Sequence, residues 1–407
     1  MSDNFITGLD IGASNIKVIV GQVNEDGRIS VLRVFKAPSV GIRKGTIDDF
    51  SELTKSLSQV FGEIKNFSRN ALKNIYVNIE SPDIHTQFSR GIVAVSRADQ
   101  EIHKDDIDRA LQASQSVKLA ANRTVLHAIT KEFVVDGIGD IRDPMGMTGN
   151  RLEVNSLIID AFDPAVKNIT KCVEMAGGIV SGLIFSPLAS GRSVLSKNQK
   201  DLGVALVDIG FSTTGICVYE ENKLLHAAVL PIGSGNITND LAIVLKTSVT
   251  AAEAIKLSFG TALAKEVSGR EVIDLRKIDP NAKNTTTKKK VAEIIETRLA
   301  EIFEFINNEL KSIGKSGQLP AGVVIVGGGS KMVNIVDLAK QELKLPAQIG
   351  ISETTSLDIA NGEINLQVED PELSCAMGLM LWGSEKMSVR GDSLKGWFGK
   401  IINALKP

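Results

Sequence analysis

This sequence has little with which to span a bilayer, hold a structural metal or grip a charged polymer. No uninterrupted apolar run approaches the roughly 20 residues that a membrane-crossing helix needs. The start, MSDNFITGLDIG, has neither a basic segment nor an apolar one, so no secretory signal is expected. Cysteine occurs only as Cys172, Cys217 and Cys375, far apart and with no CxxC pair. That spacing excludes a disulfide framework or a cysteine zinc site and fits a reducing cytosol. His85, His103, His127 and His226 show no ligand spacing either. Lys and Arg total 46 against 48 Asp and Glu, a formal net charge of -2, which gives no footing for nucleic acid as a partner. Aromatic residues are only 4%, with two tryptophans, so the place of each tryptophan is informative.

What is present is ordinary soluble material. Hydrophobic residues make up 43% and charged residues 23% of 407 positions, enough for two or more domains with sizeable cores. The stretch FITGLDIGASNIKVIVGQVNEDGRISVLRVFKAP is a β-meander with a tight glycine turn and an Asp26-Gly27 hairpin. Phe50, Leu53, Leu57, Val60, Phe61 and Ile64 predict a helix from Phe50 to Asn66. Residues 83–163 mix short strands with the helix KDDIDRALQASQSV and read as an α+β insert. The opening pattern then returns in GVALVDIGFSTTGICVYEENKLLHAAVLP, with D-I-G-x-S in register, which indicates an internal duplication. Two helical patterns follow, NITNDLAIVLKTSVTAAEAIKLSFG and VAEIIETRLAEIFEFINNELKSIG. RKIDPNAKNTTTKKK between them is expected to be an exposed loop. AGVVIVGGGSKMVNIVDLAKQEL predicts a buried strand, three glycines and a helix; PELSCAMGLMLWG predicts a buried helix, and SEKMSVRGDS a tether.

Three glycine turns carry the chemistry. Asp10 and Asp208 each end a strand, where a carboxylate suits a hydrated divalent cation held over phosphates. Gly12 and Gly210 allow close backbone approach. Ser14, Ser212, Thr213 and Thr214 offer hydroxyls beside turn N–H groups that can bind anions. Lys17 could reach a β- or γ-phosphate. Either turn alone reads as a plain hairpin; two matched copies favour a binding site. Gly327, Gly328 and Gly329 form a third phosphate- or nucleoside-binding candidate, and they fit neither GxGxxG nor the P-loop.

The paired D-I-G-x-S hairpins and the late V-G-G-G-S turn resemble the phosphate-1, phosphate-2 and adenosine motifs of the actin/Hsp70/hexokinase superfamily. The resemblance implies an α/β actin-like ATPase fold whose two lobes, with duplicated meander and helix cores, clamp ATP and Mg²⁺. It places Ala13, Asn15 and Phe211 at the phosphate turns and Met332 beside the adenosine turn, with Asp10 and Asp208 facing Mg²⁺ through water. AAEAIKLSFG resembles the helix that gives a Glu and a Lys to the ribose and adenine, here Glu253 and Lys256; a solvated helix face is the alternative. GSGNIT resembles the loop lining the nucleotide, here Gly233, Gly235 and Asn236.

The insert narrows the resemblance. IDRALQASQSV, VLHAITKEFVVDG and DIRDPMGMTGNRLEV resemble the insert of the FtsA family, the bacterial division proteins related to actin, as do IFSPLASGRSVL and IIETRLAEIFEFI. The similarity runs from about Ile6 to Trp382. It implies subdomain 1A at 1–82, 164–200 and 370–385, the 1C insert at 83–163, 2A at 201–232 and 319–369, and 2B at 233–318. A linker at 386–392 and an amphipathic helix at 393–407 complete the division. It further implies self-assembly, later division proteins bound through 1C, and a contact in 2B, whose 291–311 helix holds Arg298 and Asn307, with the C-terminal peptide of FtsZ. A peripheral place on the cytoplasmic face of the membrane at the septum follows. A pilus-assembly scaffold of the same fold, or an actin-fold carbohydrate kinase, is the alternative. The linking segment GGIVSGLIFSPLASGRSVLS has no Asp or Glu to serve as general base, which speaks against a kinase and for slow ATP hydrolysis at most.

The tail GDSLKGWFGKIINALKP stands apart. At about 100° per residue, Leu394, Trp397, Phe398, Ile401, Ile402 and Leu405 share an arc of roughly 140°. Lys395, Lys400, Asn403 and Lys406 lie opposite or at its edges. A helix of ~21 Å is too short to span a membrane but can lie in its interface, lysines near anionic headgroups; a terminal helix docked on the protein's own core is the alternative. Gly396 and Gly399 weaken it in isolation, which predicts folding on binding.

Overall fold

A computed structural model of the chain describes residues 4–24, 26–279 and 285–392. The opening meander is β1 (Phe5–Ile11), β2 (Asn15–Val23) and β3 (Ile29–Pro38), each antiparallel to the next. A small ribbon of β4 (Ile42–Arg43) and β5 (Thr46–Ile47) precedes α1 (Phe50–Phe67). Asp49 caps α1 by accepting from the Glu52 N–H, and Leu53, Leu57, Val60, Phe61 and Ile64 bury one face against the meander. β6 (Ile75–Ile79) then joins β1 in parallel.

The insert contains β7 (His85–Ala94), α2 (Lys104–Gln115), β8 (Arg123–Val135), β9 (Ile138–Ile141) and β10 (Arg151–Phe162). Its strands form one antiparallel sheet in the order β7-β10-β8-β9. Ile107, Ala110 and Leu111 of α2 pack on Phe133, Leu152 and Val154, giving the insert its own core. α3 (Asp163–Met175) leads back to β11 (Val180–Phe185), which adds in parallel to β6. α4 (Ser186–Val194) and α5 (Lys197–Leu202) cross to the second half.

There the meander repeats as β12 (Val204–Ile209), β13 (Thr214–Glu220) and β14 (Lys223–Leu230). α6 (Ser234–Leu245), α7 (Val249–Phe259), the short pair β15 (Val272–Asp274) and β16 (Thr285–Thr287), and α8 (Lys288–Ser312) follow. β17 (Val323–Val326), α9 (Ile335–Leu343) and β18 (Ala347–Ile349) close the second sheet. β19 (Leu357–Ile359), α10 (Gly362–Val368) and α11 (Ser374–Asp392) return to the first lobe. The duplication is visible in topology. The order β3-β2-β1-β6-β11 in one sheet matches β14-β13-β12-β17-β18 in the other, with the last two strands of each added in parallel.

Three expectations differ from what forms. The predicted long helix before Gly260 is broken, because Lys246 adopts a left-handed φ of 53° and Ser248 restarts the chain by accepting from the Ala251 N–H. The basic stretch is not all loop. Thr285–Thr287 pairs with Val272–Asp274, as β-branched residues favour, and the lysines form the first turn of α8 under a Thr287 cap. The expected tether is helical: α11 continues through Asp392, and Glu385 pairs with Arg192 of α4.

α4 and α11 meet at van der Waals limits. A Cβ on Gly378 would lie 1.7 Å from the carbonyl oxygen of Ala189. Gly378→Ala is therefore expected to cost about 3 kcal/mol, read as a lower urea midpoint with unchanged slope.

Candidate functional site

Between the lobes lies a cavity of about 510 Å³. The two repeated turns face it from opposite sides. Each is a four-residue connection, closed beyond the pairs Ile11–Ile16 and Ile209–Thr214. Gly12 N–H donates to Asn15 O at 3.1 Å, and Gly210 N–H to Thr213 O at 2.9 Å. A Cβ at Gly12 would stand 2.8 Å from the Asn15 oxygen, so the turn tolerates only glycine without shifting. The wall includes Asp10, Ala13, Ser14, Asn15 and Lys17 from the first turn, and Asp208, Phe211, Ser212 and Thr213 from the second.

The third turn closes the space. Gly327 has φ 82°, and a Cβ there would lie 2.3 Å from Asp208 Oδ1. Gly327, Gly328, Gly329 and Met332 all line the cavity. The glycines do not open a helix directly: Gly328–Lys331 is a 3₁₀ turn, and α9 begins only after Asn334. A helix N-terminus is therefore not what this turn offers; close backbone approach is.

The duplication is chemically unequal. Asp10 is paired across its hairpin with Lys17, and their side chains form an ion pair at 2.6 Å. Burial alone would lower the pKa of Lys17, but Asp10 outweighs it and holds the ammonium above its ordinary value. At the matching place opposite Asp208 stands Gly215. Asp208 thus has no cation across the hairpin. Burial, opposed by a hydrogen bond from the Ser190 hydroxyl at 2.8 Å and reinforced by Asp10, pushes its carboxyl from 3.8 to about 6.

A carboxylate that no motif announced stands beside them. Glu80, just after β6, lines the cavity, and its Oε1 is shielded from solvent without a hydrogen-bond partner. Burial pushes it from 4.5 to about 8, with the charges of Asp208 and Asp10 adding and the hydroxyls of Thr213 and Ser186 opposing. Unfolding lowers this pKa, so the folded state is fully favoured below about 4.5 and loses that advantage as pH rises through about 8. Glu80→Gln should flatten the fall of melting temperature between pH 5 and 8 in metal-free buffer. It should also raise stability at pH 8, by on the order of 3 kcal/mol. An unchanged slope would contradict the assignment.

Two further lysines reach the cavity. Lys36 pairs with Glu372 at 2.7 Å, and Lys331 with Asp370 at 2.6 Å. Glu372 also accepts from the Asn15 amide, and its carbonyl from Lys17. The turn before α11 thereby holds cations that line the cavity. Neither lysine carries a local signal in sequence; the sheet and the glycine turn bring them there.

Glu253 and Lys256 line the cavity, and Lys256 is not on a solvated face. It is 5% exposed, pairs with Glu253 at 2.7 Å, and donates to Thr238 at 2.9 Å and to Ser234 O at 3.3 Å. Four expected residues lie off the cavity wall. Thr214 is buried and donates to Ile232 O. Gly233, Gly235 and Asn236 form the first turn of α6, not a loop. Asn236 accepts from the Gly233 N–H, and a Cβ on either glycine would strike Phe211. Ser234 and Ile237 are the lining residues of that turn.

The acid-free linking segment does join the lobes, as α4. Its serines do the joining. Ser186 accepts from Asn78 of β6, Ser190 donates to Asp208 of β12, and Ser193 donates to the carbonyl of Ser374 at the start of α11. Leu394, Lys395, Trp397, Phe398, Lys400, Ile401, Ile402 and Leu405 lie outside the described residues. Among the described residues no helix is long and apolar enough to cross a membrane.

Comparison with known proteins supplies independent findings. Residues 205–378 match the family described as cell division protein FtsA, and residues 82–160 match the SHS2 domain inserted in FtsA. The chain is 34% identical to cell division protein FtsA of Pseudomonas aeruginosa over 398 residues, covering 96% of this chain and 94% of that one. It is 34% identical to the Bacillus subtilis protein of the same name, covering 97% and 86%. Among solved structures, the PilM-PilN type IV pilus biogenesis complex superposes with TM-score 0.67 at 16% identity, covering 93% and 98%. MreB 5 of Spiroplasma citri bound to AMPPNP gives 0.54 at 10% identity, covering 97% and 99%. At these identities the structural matches show the actin-like fold alone.

Proposed function

Because this chain belongs to the FtsA family of cell division proteins, we propose that it binds ATP with Mg²⁺ between its lobes, assembles with copies of itself and holds FtsZ filaments to the cytoplasmic membrane at the septum. The nucleotide part rests chiefly on one observation: two matched aspartate–glycine turns and Gly327 converge on a single cavity. The residues present fit a nucleoside triphosphate. The volume, about 510 Å³, lies within the usual range for small-molecule sites. Gly12, Gly210 and Gly327 let the three turns fold tightly around the space, and Lys17, Lys36, Lys256 and Lys331 line the wall. MreB 5 was solved with AMPPNP, which is consistent with the same use of the fold here.

In this reading the N–H groups of residues 12–15 and 210–213 would hold the phosphates, and Gly327–Gly329 with Met332 the nucleoside. Asp10 and Asp208 would face the hydrated Mg²⁺, which supplies charge neutralisation. Lys17 would exchange Asp10 for phosphate oxygen. The subdomain division follows the family: 1A, the 1C insert at 83–163 that receives later division proteins, 2A, and 2B with the FtsZ peptide contact. The amphipathic segment 393–407 would lie on anionic lipid. Metabolic catalysis is not part of the reading. The pilus-scaffold alternative draws on a structural likeness that shows fold only.

The test is co-pelleting of FtsZ with anionic liposomes. FtsZ should pellet only with this protein present. Equal pelleting without it would contradict the tether.

A further inference from the structure

Glu80 stands where a carboxylate costs stability. It follows β6, whose parallel pairing with β1 brings it to the cavity wall. Among the described residues no ion pair engages it, its charged neighbours are the acids Asp208 and Asp10, and its Oε1 is buried without a partner. The second lobe makes room for it: a Cβ on Gly215 would lie 3.3 Å from that oxygen and 2.4 Å from Pro187. In the first half the matching position is Lys17, which neutralises Asp10. The second half has an acid and a vacancy there, with Glu80 beside them. Unpaired buried acids concentrate where chemistry needs them.

We infer that Glu80 is the general base that draws a proton from the water attacking the terminal phosphate of ATP. The inference rests on reading the cavity as an ATP site. The water oxygen bonds to the terminal phosphorus while its proton passes to a Glu80 carboxylate oxygen. The bond from that phosphorus to the bridging oxygen breaks, and its electron pair leaves on ADP. Glu80 then returns the proton to the released phosphate. The other four acids on the wall are engaged: Asp10 by Lys17, Asp208 by Ser190, Glu253 by Lys256 and Glu372 by Lys36. Glu80 keeps free lone pairs on a shielded oxygen, as a base needs.

The experiment uses the full chain with Mg²⁺ and compares wild type, Glu80→Gln and Glu80→Asp. Phosphate release is measured at saturating ATP, and affinities for ATP, ADP and ADP with aluminium fluoride by calorimetry. Glu80→Gln should release phosphate about 100-fold more slowly, with ATP affinity changed less than about threefold. Its affinity for the aluminium fluoride complex, a mimic of the phosphoryl group in transit, should fall about tenfold more than for ATP. Glu80→Asp should recover part of both losses. Hydrolysis by Glu80→Gln near the wild-type rate would overturn the inference, as would a parallel fall in both affinities. So would a wild-type chain that binds ATP and releases no phosphate. A wild-type chain that binds no ATP would overturn the reading of the cavity and the inference with it.

Discussion

Asp208→Asn should melt at a higher temperature than the parent chain at neutral pH and bind Mg·ATP at least about 30-fold more weakly. The two effects have one cause. Asp208 is buried, shares the cavity with Asp10 and Glu80, and lacks the cation that Lys17 gives Asp10. Its folded pKa of about 6 lies above the ordinary 3.8, so stability is full below about 3.8 and declines as pH rises through about 6. At pH 7 the ionised side chain is a net cost. Asparagine keeps the acceptor for Ser190 and removes the charge, for a gain on the order of 1–2 kcal/mol. Loss of that charge deprives hydrated Mg²⁺ of an acceptor, and a charge-assisted contact is worth about 2 kcal/mol. Melting curves with and without Mg·ATP separate the two. A variant that melts lower when empty, or binds as tightly as wild type, would contradict the electrostatic account.

Deleting residues 393–407 should abolish sedimentation with anionic liposomes and leave ATP affinity unchanged within about twofold. The sequence of the segment has the length, the apolar spacing with Trp397 and Phe398, and the lysines expected of an interfacial helix. One such helix binds weakly and reversibly, so attachment should rise steeply as copies assemble side by side. If the segment is the proposed anchor, the deletion removes it from every copy at once, whereas the cavity is built wholly from residues 10–375. Added salt should weaken wild-type sedimentation through the lysines, without releasing it fully while the apolar face remains. Sedimentation that survives the deletion would contradict the tether.

The two halves were legible because their signals are local. D-I-G-x-S with a meander on either side can be read from a dozen consecutive residues, and the sheets repeat in the same order. The insert announced itself by its strands and one amphipathic helix. Glu80 did not, because VNIESP carries no pattern; its position depends on β6 lying beside β1 and on Gly215 across the lobe boundary. Lys256 was ambiguous for the same reason. A helical wheel places it on a face but cannot say that Thr238 and Ser234 wait on the neighbouring helix. The linking segment carries no Asp or Glu. None of its residues lines the cavity; its serines bond Asn78, the Ile79 carbonyl and Asp208, while Glu80, which does line the cavity, follows the strand that Ser186 bonds.

The most direct measurement is calorimetric titration of the full chain with ATP in the presence of Mg²⁺. Saturable binding at one site per chain is expected, competed by ADP and weakened by Asp208→Asn. Absence of saturable binding at millimolar ATP, from a chain that melts cooperatively, would contradict it.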